Sequence, residues 1–382
     1  MKENLYGELS VIGMRGCEDF VAQVDSYLKE RRRHEDDSDF TYIAQADCPR
    51  FGSEEAKGAI HKSMRGHDVY IISDVFNYGV TYKMYGMTVP MSPDDHFQDL
   101  KRVIGAIGGK ARRISVIMPM LYEGRQHKRS SRESLDCATA LQELINMGVS
   151  NFITFDAHDP RVQNAIPLNG FDNIRTSYQM IKALIRKYPD ITFDPEEIMI
   201  VSPDEGAMSR CIYYSSMLGI DLGMFYKRRN YSVIVNGKNP IEAHEYLGKD
   251  LTGKDVIIVD DMISSGESII DVAEQLKSKG ARRIFVFTTF GLFCNGLEVM
   301  DKAYESGLFT QIFTTNLIYR TPELLEREWY TEVNMCKYVS YIIDTLNHDE
   351  TISRLLDHSG KIHKIVDSHK AEVAKLAKKA KK

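Results

Sequence analysis

Two adjacent aspartates are the first residues in this sequence that suggest chemistry. Asp260 and Asp261 follow an apolar run at 256–259 and precede a turn rich in serine and glycine. The turn contributes Ser264, Ser265, Gly266 and Ser268. A helix predicted from Ser268 would offer unpaired N–H groups to a phosphate, whereas the carboxylates suit sugar hydroxyls or a metal. The pattern predicts a ribose 5-phosphate site; the alternative is an ordinary strand–turn–helix with a serine cap.

Cationic residues suggest a second kind of site. Arg125 and Gln126 open a basic, serine-rich run, and Lys227 and Arg229 belong to a basic triplet that follows a short apolar stretch. Arginine bridges phosphate oxygens and stacks on adenine rings, and cations neutralise the charge that develops during phosphoryl transfer. Taken alone, either group is also compatible with a solvated basic loop.

Two predicted strand ends carry candidate metal contacts. His158 follows the strand predicted at 152–155, with Asp156 placed to orient it, and Asp204 lies in a Ser-Pro-Asp-Glu-Gly turn. A histidine after a strand is more often a hydrogen-bonded structural residue, because Mg²⁺ prefers oxygen ligands. The alternative for Asp204 is a plain Pro-Asp turn.

In this order, the motifs resemble those of ribose-phosphate pyrophosphokinases, in the type I phosphoribosyltransferase-like superfamily. The stretch 260–268 is similar to the superfamily pattern acidic-acidic-x-x-[Ser/Thr]-[Ser/Thr]-Gly-x-[Ser/Thr]. The resemblance implies transfer of the terminal pyrophosphate of ATP to the C1 hydroxyl of ribose 5-phosphate, with Mg²⁺ as cofactor. The products would be 5-phosphoribosyl 1-pyrophosphate and AMP. It further implies a homo-oligomer, commonly a hexamer, in which a neighbour's loop completes the adenine pocket.

The resemblance also implies a role for each candidate residue. Ribose 5-phosphate would be bound by Asp260, Asp261, Ser264, Ser265, Gly266 and Ser268. ATP would be bound by Arg125, Gln126, Phe51, Glu55 and His158. Mg²⁺ would contact His158 and Asp204, and the catalytic residues would be Lys227 and Arg229. This chain departs from the family in having Ser264 and Ser53 where better-known members have Asp, and Asp159 where they have Ala.

Apolar, β-branched runs alternate with segments of helical period, which predicts a parallel α/β fold. The predicted strands are Val69–Ser73, Ile114–Met118, Phe152–Phe155, Ile198–Val201, Val256–Val259, Ile284–Thr288 and Gln311–Thr314. Helices are predicted at Glu133–Asn146 and Ser268–Lys279 from their apolar stripes.

With the resemblance, the expected fold is two phosphoribosyltransferase-like domains, each a mainly parallel sheet flanked by helices. The first would span 1–170 and the second 171–346, with the ribose-phosphate loop in the second. A closing helix at Asp349–His358, within a segment 347–358, would pack back on the first domain. Residues 359–382 are expected to be a basic, solvated tail, although the segment could also form a basic helix.

Composition narrows the class of protein. The 382 residues carry 49 Lys and Arg against 54 Asp and Glu, a net charge of −5 that argues against bulk nucleic-acid or membrane-surface binding. The six cysteines are scattered, with no Cys-x-x-Cys pair, as in a reducing compartment. No signal-peptide-like start or membrane-length apolar run occurs. We therefore expect a cytoplasmic enzyme that binds neither nucleic acid nor membrane.

Two other functions remain open from sequence alone. A phosphoribosyltransferase that consumes the activated sugar would need the phosphate loop, but would leave the Arg-Gln, Asp-x-His and Lys-x-Arg motifs without a role. A non-catalytic regulatory homologue would keep the fold, although retention of Lys227 and Arg229 argues against it.

Overall fold

The computed structural model describes residues 5–34, 39–53, 55–229 and 241–380, apart from the side chains at 227–229, 241–244 and 376–380. Its strands, in chain order, are β1 (Glu8–Gly13), β2 (Ala46–Asp47), β3 (Ala59–Ile60), β4 (His67–Ile72), β5 (Thr81–Met84), β6 (Met87–Pro90), β7 (Arg113–Ile117), β8 (Asn151–Phe155), β9 (Gly170–Ile174), β10 (Ile198–Ser202), β11 (Asp221–Arg229), β12 (Ile241–Leu247), β13 (Asp255–Ile263), β14 (Ile284–Gly291), β15 (Gln311–Thr315) and β16 (Tyr330–Val333). Its α-helices are α1 (Glu18–Arg32), α2 (Pro93–Ile107), α3 (Asp136–Asn146), α4 (Ser177–Lys187), α5 (Met208–Leu218), α6 (Glu267–Ser278), α7 (Glu298–Glu305), α8 (Pro322–Leu325), α9 (Cys336–Asn347), α10 (Ser353–Leu356) and α11 (Ser359–Ala380), and a 3₁₀ helix spans Pro160–Ala165.

The chain forms two compact units, and each draws on more than one part of the sequence. Unit 1 combines 1–176 with 316–321 and 334–357. Unit 2 combines 177–315 with 322–333 and 358–382. Each unit is built around its own sheet and hydrophobic core.

The sheet of unit 1 has the strand order β1-β4-β7-β8-β9, and all of its neighbouring pairs are parallel. Its strand β4 is buried along its whole length, as expected for a parallel strand covered on both faces. The parallel arrangement brings the carboxyl ends of β7 and β8 to the same edge, where ligands bind in open α/β sheets. The loops that carry Arg125 and His158 follow these two strands.

The sheet of unit 2 has the order β12-β11-β10-β13-β14-β15-β16. All neighbouring pairs are parallel except β12, which runs antiparallel to β11. Strand β10 lies between β11 and β13, so the turn at Asp204 leaves the sheet between the basic strand and the aspartate-bearing strand. The predicted fold class is confirmed, and all seven predicted strands are present.

Several strands escaped prediction because they lack a clean apolar run. Strand β9 contains Asp172 and Asn173 and lies at the edge of its sheet, where only one side must pair with another strand. Strand β11 ends in basic residues. Helix α3 begins at Asp136 and not at Glu133, because residues 133–135 form the end of the preceding loop.

The segment that packs back on unit 1 is longer than the predicted closing helix and lies earlier in the chain. Helix α9 packs against α1, where Arg31 and Arg32 both pair with Asp344; the Arg32 Nε–Asp344 Oδ1 distance is 2.7 Å. The Asn347 side-chain amide donates to the Gly7 carbonyl at 3.0 Å and to Asp68 at 2.9 Å. The predicted helix over Asp349–His358 is wrong: only the short α10 forms there.

The expectation of a solvated C-terminal tail is also wrong. Helix α11 packs on α4 and α5 of unit 2 through Ile362, Val366 and His369, which are all buried. The ring of His369 makes a hydrogen bond through Nε2 with the Ile191 carbonyl at 2.7 Å. The basic composition concealed an apolar stripe at helical spacing, and that stripe decides the packing.

Candidate active site

The aspartate pair lies inside a strand and not after it. Strand β13 continues to Ile263, and Asp260 pairs in register with Thr288 of β14. The polar turn is therefore reduced to residues 264–266 before α6 begins at Glu267. Because the strand holds both aspartates, their carboxylates are more rigidly placed than loop residues would be.

Gly266 makes the sharp turn into α6. It adopts a left-handed conformation with φ of +93°, and an added Cβ would lie 2.5 Å from the Met300 sulfur. Glycine is the residue that tolerates this backbone conformation without steric cost. As the N-cap residue, Gly266 has no side chain with which to cap the helix, so the predicted alternative of a serine cap at this position is wrong.

Backbone hydrogen bonds hold the turn from the β14 side. The amide of Leu292 donates to the Ile263 carbonyl at 2.9 Å, and the amide of Cys294 donates to the Ser264 carbonyl at 2.8 Å. The hydroxyl of Ser265 accepts from the Glu267 amide at 3.5 Å, while Ser268 is exposed on the first turn of α6. The result is a supported turn with three serines around a helix N terminus, which suits a phosphate.

The two aspartates differ in their surroundings. Burial, followed by repulsion from Asp261, raises the pKa of Asp260, and Arg210 acts in the opposite direction. The guanidinium Nη1 of Arg210, on α5, lies 3.8 Å from Asp260 Oδ1. The amide of Asp261 donates to Asp260 Oδ1 at 2.8 Å. A half-buried Asp260 beside the buried Asp261, with Arg210 nearby, can accept hydrogen bonds from neutral hydroxyls.

Sequence reasoning missed Arg210 as a site residue. It lies 50 positions from Asp260 in the chain, and only the adjacency of β10 and β13 brings α5 over the aspartates. The sequence did contain one indication that Arg210 lies near the site. It comes shortly after the Ser-Pro-Asp turn, in the helix that follows strand β10.

Asp204 is placed by its own turn. Its Oδ1 atom accepts hydrogen bonds from the amides of Gly206 at 2.9 Å and Ala207 at 3.2 Å, and the hydroxyl of Ser202 donates to its carbonyl at 2.7 Å. The turn-forming role predicted as an alternative is therefore present. A carboxylate has two oxygens and about four acceptor positions, so this role does not exclude a contact with a ligand.

The basic strand end shares a sheet with the other sites of unit 2. Val201 of β10 pairs with Gly223 of β11 on one side and Ile258 of β13 on the other, and because the three strands are parallel their carboxyl ends point to the same edge of the sheet. The backbones of Lys227 and Arg229 continue β11 beyond this level and pair with β12. Their side chains lie outside the described part of the structure.

In unit 1, the loops after β7 and β8 meet. Arg125 is exposed, and the side-chain amide of Gln126 donates to the Ser134 carbonyl at 2.8 Å, which closes the loop on itself. The ring of His127 packs 5.4 Å, centroid to centroid, from the ring of the exposed His158. Two of the predicted ATP-binding motifs therefore lie side by side.

The residues on either side of His158 have contacts of their own, and the predicted role of Asp156 in orienting His158 stays a prediction. Asp156 has φ of +36° and accepts a hydrogen bond from the Thr176 hydroxyl at 2.9 Å. Asp159 is buried, and its Oδ2 lies 3.3 Å from Nε2 of His127. Arg161, by hydrogen bonding to the Asp159 carboxylate, lowers the pKa of that group to about 2. His127 was not singled out in the sequence, because its importance comes from this contact.

Phe51 and Glu55 lie on one exposed loop. The amide of Phe51 donates to the Glu55 carbonyl at 2.7 Å, and the hydroxyl of Ser53 donates to the Glu55 carboxylate at 2.8 Å. The Phe51 side chain is 52% exposed, with Lys57 Nζ 6.0 Å from its ring centroid. An exposed ring is available for stacking on a nucleotide base.

No metal centre is built from protein side chains alone in the residues that the structure describes. Within those residues, no group of three or more His, Cys, Asp and Glu side chains is placed to hold a metal ion. The two predicted contacts, His158 and Asp204, belong to different units. This is compatible with Mg²⁺, which commonly uses one or two protein ligands together with water and substrate phosphates.

Family models match most of the chain. Residues 9–148 match the N-terminal domain of ribose phosphate pyrophosphokinase, and residues 170–327 match the phosphoribosyl transferase domain. The chain belongs to the ribose-phosphate pyrophosphokinase family. Ribose-phosphate pyrophosphokinase A of Dictyostelium discoideum is 29% identical over 317 residues, or 82% of this chain and 90% of that protein. The ribose-phosphate pyrophosphokinase of Vibrio cholerae is 26% identical over 326 residues, or 84% and 94% respectively.

A solved structure supports the ribose-phosphate pyrophosphokinase fold. The crystal structure of phosphoribosylpyrophosphate synthetase from Mycobacterium smegmatis matches with a TM-score of 0.72 at 18% sequence identity, covering 90% of this chain and 99% of that one. Of the helices described here, none has the length and apolar character required to cross a bilayer.

Proposed function

We propose that this protein transfers the terminal pyrophosphate of ATP to the C1 hydroxyl of ribose 5-phosphate, releasing AMP and 5-phosphoribosyl 1-pyrophosphate. The observation that carries the proposal is the β13–α6 turn, in which a left-handed Gly266 opens a helix N terminus beside the half-buried Asp260 and the buried Asp261. Membership of the ribose-phosphate pyrophosphokinase family selects this reaction from those that a sugar-phosphate site could serve.

The ribose site follows from the properties of the turn. The amides at the start of α6, with the hydroxyls of Ser264, Ser265 and Ser268, would hold the 5-phosphate. The carboxylates of Asp260 and Asp261 would accept hydrogen bonds from the ribose 2- and 3-hydroxyls. Binding neutral hydroxyls partly replaces the hydration that these carboxylates lost on folding, so the aspartates contribute orientation as well as affinity.

Unit 1 would supply the nucleotide contacts. Arg125 and Gln126 would bind ATP from the loop after β7, and His158 would approach its phosphates from the loop after β8. Phe51 would stack on the adenine, and Glu55 would hydrogen bond to it, in a pocket completed by a second copy of the chain. The half-exposed ring of Phe51 supports a homo-oligomer as the working form; we propose that it works in the cytoplasm.

Mg²⁺ contacted by His158 and Asp204 would neutralise part of the triphosphate charge. Lys227 and Arg229 would stabilise negative charge on the transferring group, since phosphoryl-type transfer depends on positioning and cations. Their strand borders the strand that leads to Asp204, which supports a position near the phosphates. The attacking atom would be the C1 hydroxyl oxygen, and its proton would leave with solvent.

The test is AMP release from Mg-ATP with and without ribose 5-phosphate. We expect release that depends on ribose 5-phosphate, and a loss of about 100-fold or more in kcat for Lys227→Ala, the scale expected when one transition-state contact is removed. Lys254→Ala, on the same unit but remote from the turn, is the control. Absence of AMP, together with conversion of 5-phosphoribosyl 1-pyrophosphate and a base to a nucleotide, would favour a phosphoribosyltransferase. Absence of both activities would favour a non-catalytic homologue.

A further inference from the structure

His127 occupies a different environment from its neighbours in the basic loop. Its side chain is 13% exposed, whereas Arg125, Lys128 and Arg129 are exposed to solvent. The ring points inward and lies between His158 and Asp159 of the next loop. A polar ring held inward from a solvated loop requires a reason, because burying it costs hydration.

The contact with Asp159 supplies part of that reason. His127 Nε2 lies 3.3 Å from Asp159 Oδ2, and Asp159 is itself buried. Asp159 Oδ1 also accepts from the Arg161 amide at 2.9 Å, which anchors the carboxylate to the start of the 3₁₀ helix. His127 therefore connects the long polar loop after β7 to a carboxylate that the Arg161 amide holds in place.

The ring also carries an unsatisfied atom. Nδ1 of His127 is buried and has no hydrogen-bond partner among the described residues. A residue selected for packing alone would avoid this cost, since an apolar side chain would fill the same space without it. An unsatisfied buried group in a native fold commonly marks a functional constraint.

We infer that His127 is a positioning residue that latches the Arg125–Gln126 loop to the His158 loop and so preorganises the ATP site. Because the ring is held inward, the loop that carries Arg125 stays next to the loop that carries His158. This inference rests on the proposed function for the identity of the nucleotide.

The latch predicts a specific pattern of ATP affinities. By calorimetry with Mg-ATP, His127→Ala weakens binding about tenfold, because the loop must then be ordered by the ligand. Asp159→Ala weakens it by a similar factor. The double variant is no weaker than Asp159→Ala alone, since the contact between His127 and Asp159 is already lost in that variant. His127→Gln, which keeps a side-chain donor, recovers most of the affinity.

His348→Ala is the matched control, because His348 also contacts an aspartate of unit 1, Asp344, far along the chain from these loops. It should leave ATP affinity unchanged. In turnover assays, His127→Ala raises the KM for ATP and leaves its kcat and the KM for ribose 5-phosphate within about twofold of wild type. A general loss of folding would lower kcat or the active fraction instead.

Affinity equal to wild type in His127→Ala would overturn the latch, as would independent, multiplicative effects of the two single variants. Wild-type protein that binds no ATP would also overturn it. Wild-type protein that binds Mg-ATP but releases no AMP with ribose 5-phosphate would overturn only the proposed reaction, because the binding measurements need no turnover.

Discussion

At the scale of single residues, the ribose site combines a binding role with a cost to stability. Asp260 is half-buried beside the buried Asp261, and its negative charge is only partly compensated by Arg210. A charge of this kind is retained where a bound ligand later forms hydrogen bonds with it. The protein then gives up some stability in exchange for function. Gly266 makes a related compromise, because its left-handed backbone disfavours a side chain and Met300 occupies the space that a Cβ would need.

Asp260→Asn should abolish AMP release and raise thermal stability. The pKa of Asp260 in the folded protein is raised above its ordinary value of 3.8. Its ionised form therefore destabilises the fold increasingly as pH rises from that value towards the raised one. We expect Asp260→Asn to melt at a higher temperature than wild type at pH 8, with a smaller difference at pH 5.

Melting followed by circular dichroism at the two pH values, with AMP release measured in parallel, checks this prediction. Asp271→Asn, an exposed position on α6, is the control and should show the same difference at both pH values. A variant that is less stable than wild type at pH 8 would show that Arg210 outweighs burial.

Gly266→Ala should raise the KM for ribose 5-phosphate by about tenfold or more, because it combines left-handed strain of about 1–3 kcal/mol with a clash against Met300. Gly307→Ala is a matched control: it has φ of +76° but nothing within 4 Å of the added Cβ. The rate of AMP release at varied concentrations of ribose 5-phosphate gives the KM of each variant. Equal KM values for the two variants would mean that the shape of the turn does not matter for binding.

At the scale of elements, α11 contributes packing to unit 2. Its buried stripe covers α4 and α5, and α5 carries Arg210 towards the aspartates. The helix therefore supports the element on which one side of the ribose site is built. Its exposed face holds Lys361, Lys364, Lys370 and Lys375.

Ile362→Ala should destabilise the protein by about 2–5 kcal/mol, the usual cost of truncating a fully buried isoleucine. Lys364→Ala, two residues away on the exposed face, should change stability by less than about 0.5 kcal/mol. Urea denaturation of both variants measures the contrast. Similar midpoints would mean that α11 leaves unit 2 readily in solution.

At the scale of the whole molecule, neither unit is a continuous piece of chain. Unit 1 takes 334–357 from late in the sequence, and this segment brings α9 onto α1. Asp344 meets Arg31 and Arg32 there, and Val339, Ile342 and Ile343 are buried. A fragment that ends before residue 334 would therefore lack part of the hydrophobic core of unit 1.

A fragment of residues 1–176 should fail to unfold cooperatively when it is produced alone. The Arg31 and Arg32 side chains would lose Asp344, and Asp68 would lose the amide of Asn347. Addition of a peptide spanning 334–357 should restore a cooperative melt, whereas a peptide spanning 359–380, which belongs to unit 2, should not. Circular dichroism tests this, and cooperative melting of the fragment alone would contradict it.

The sequence by itself determined the fold class, the main strands and the order of the motifs along them. These features depend on residues that are adjacent in the chain. An apolar run predicts a buried strand, and a glycine among serines predicts a tight turn such as the one at Gly266. The end of strand β13 was less visible, because Asp260 and Asp261 look like loop residues until a neighbouring strand pairs with them.

Only the tertiary structure decided which distant residues meet. The contacts of Arg210 with Asp260, of His127 with Asp159 and of Arg32 with Asp344 each depend on strand order or helix packing. Local periodicity carries no record of that order, because many arrangements of the same strands bury the same apolar faces. The role of α11 was hidden for a similar reason: its lysines dominate the composition, but three residues at helical spacing determine where it packs.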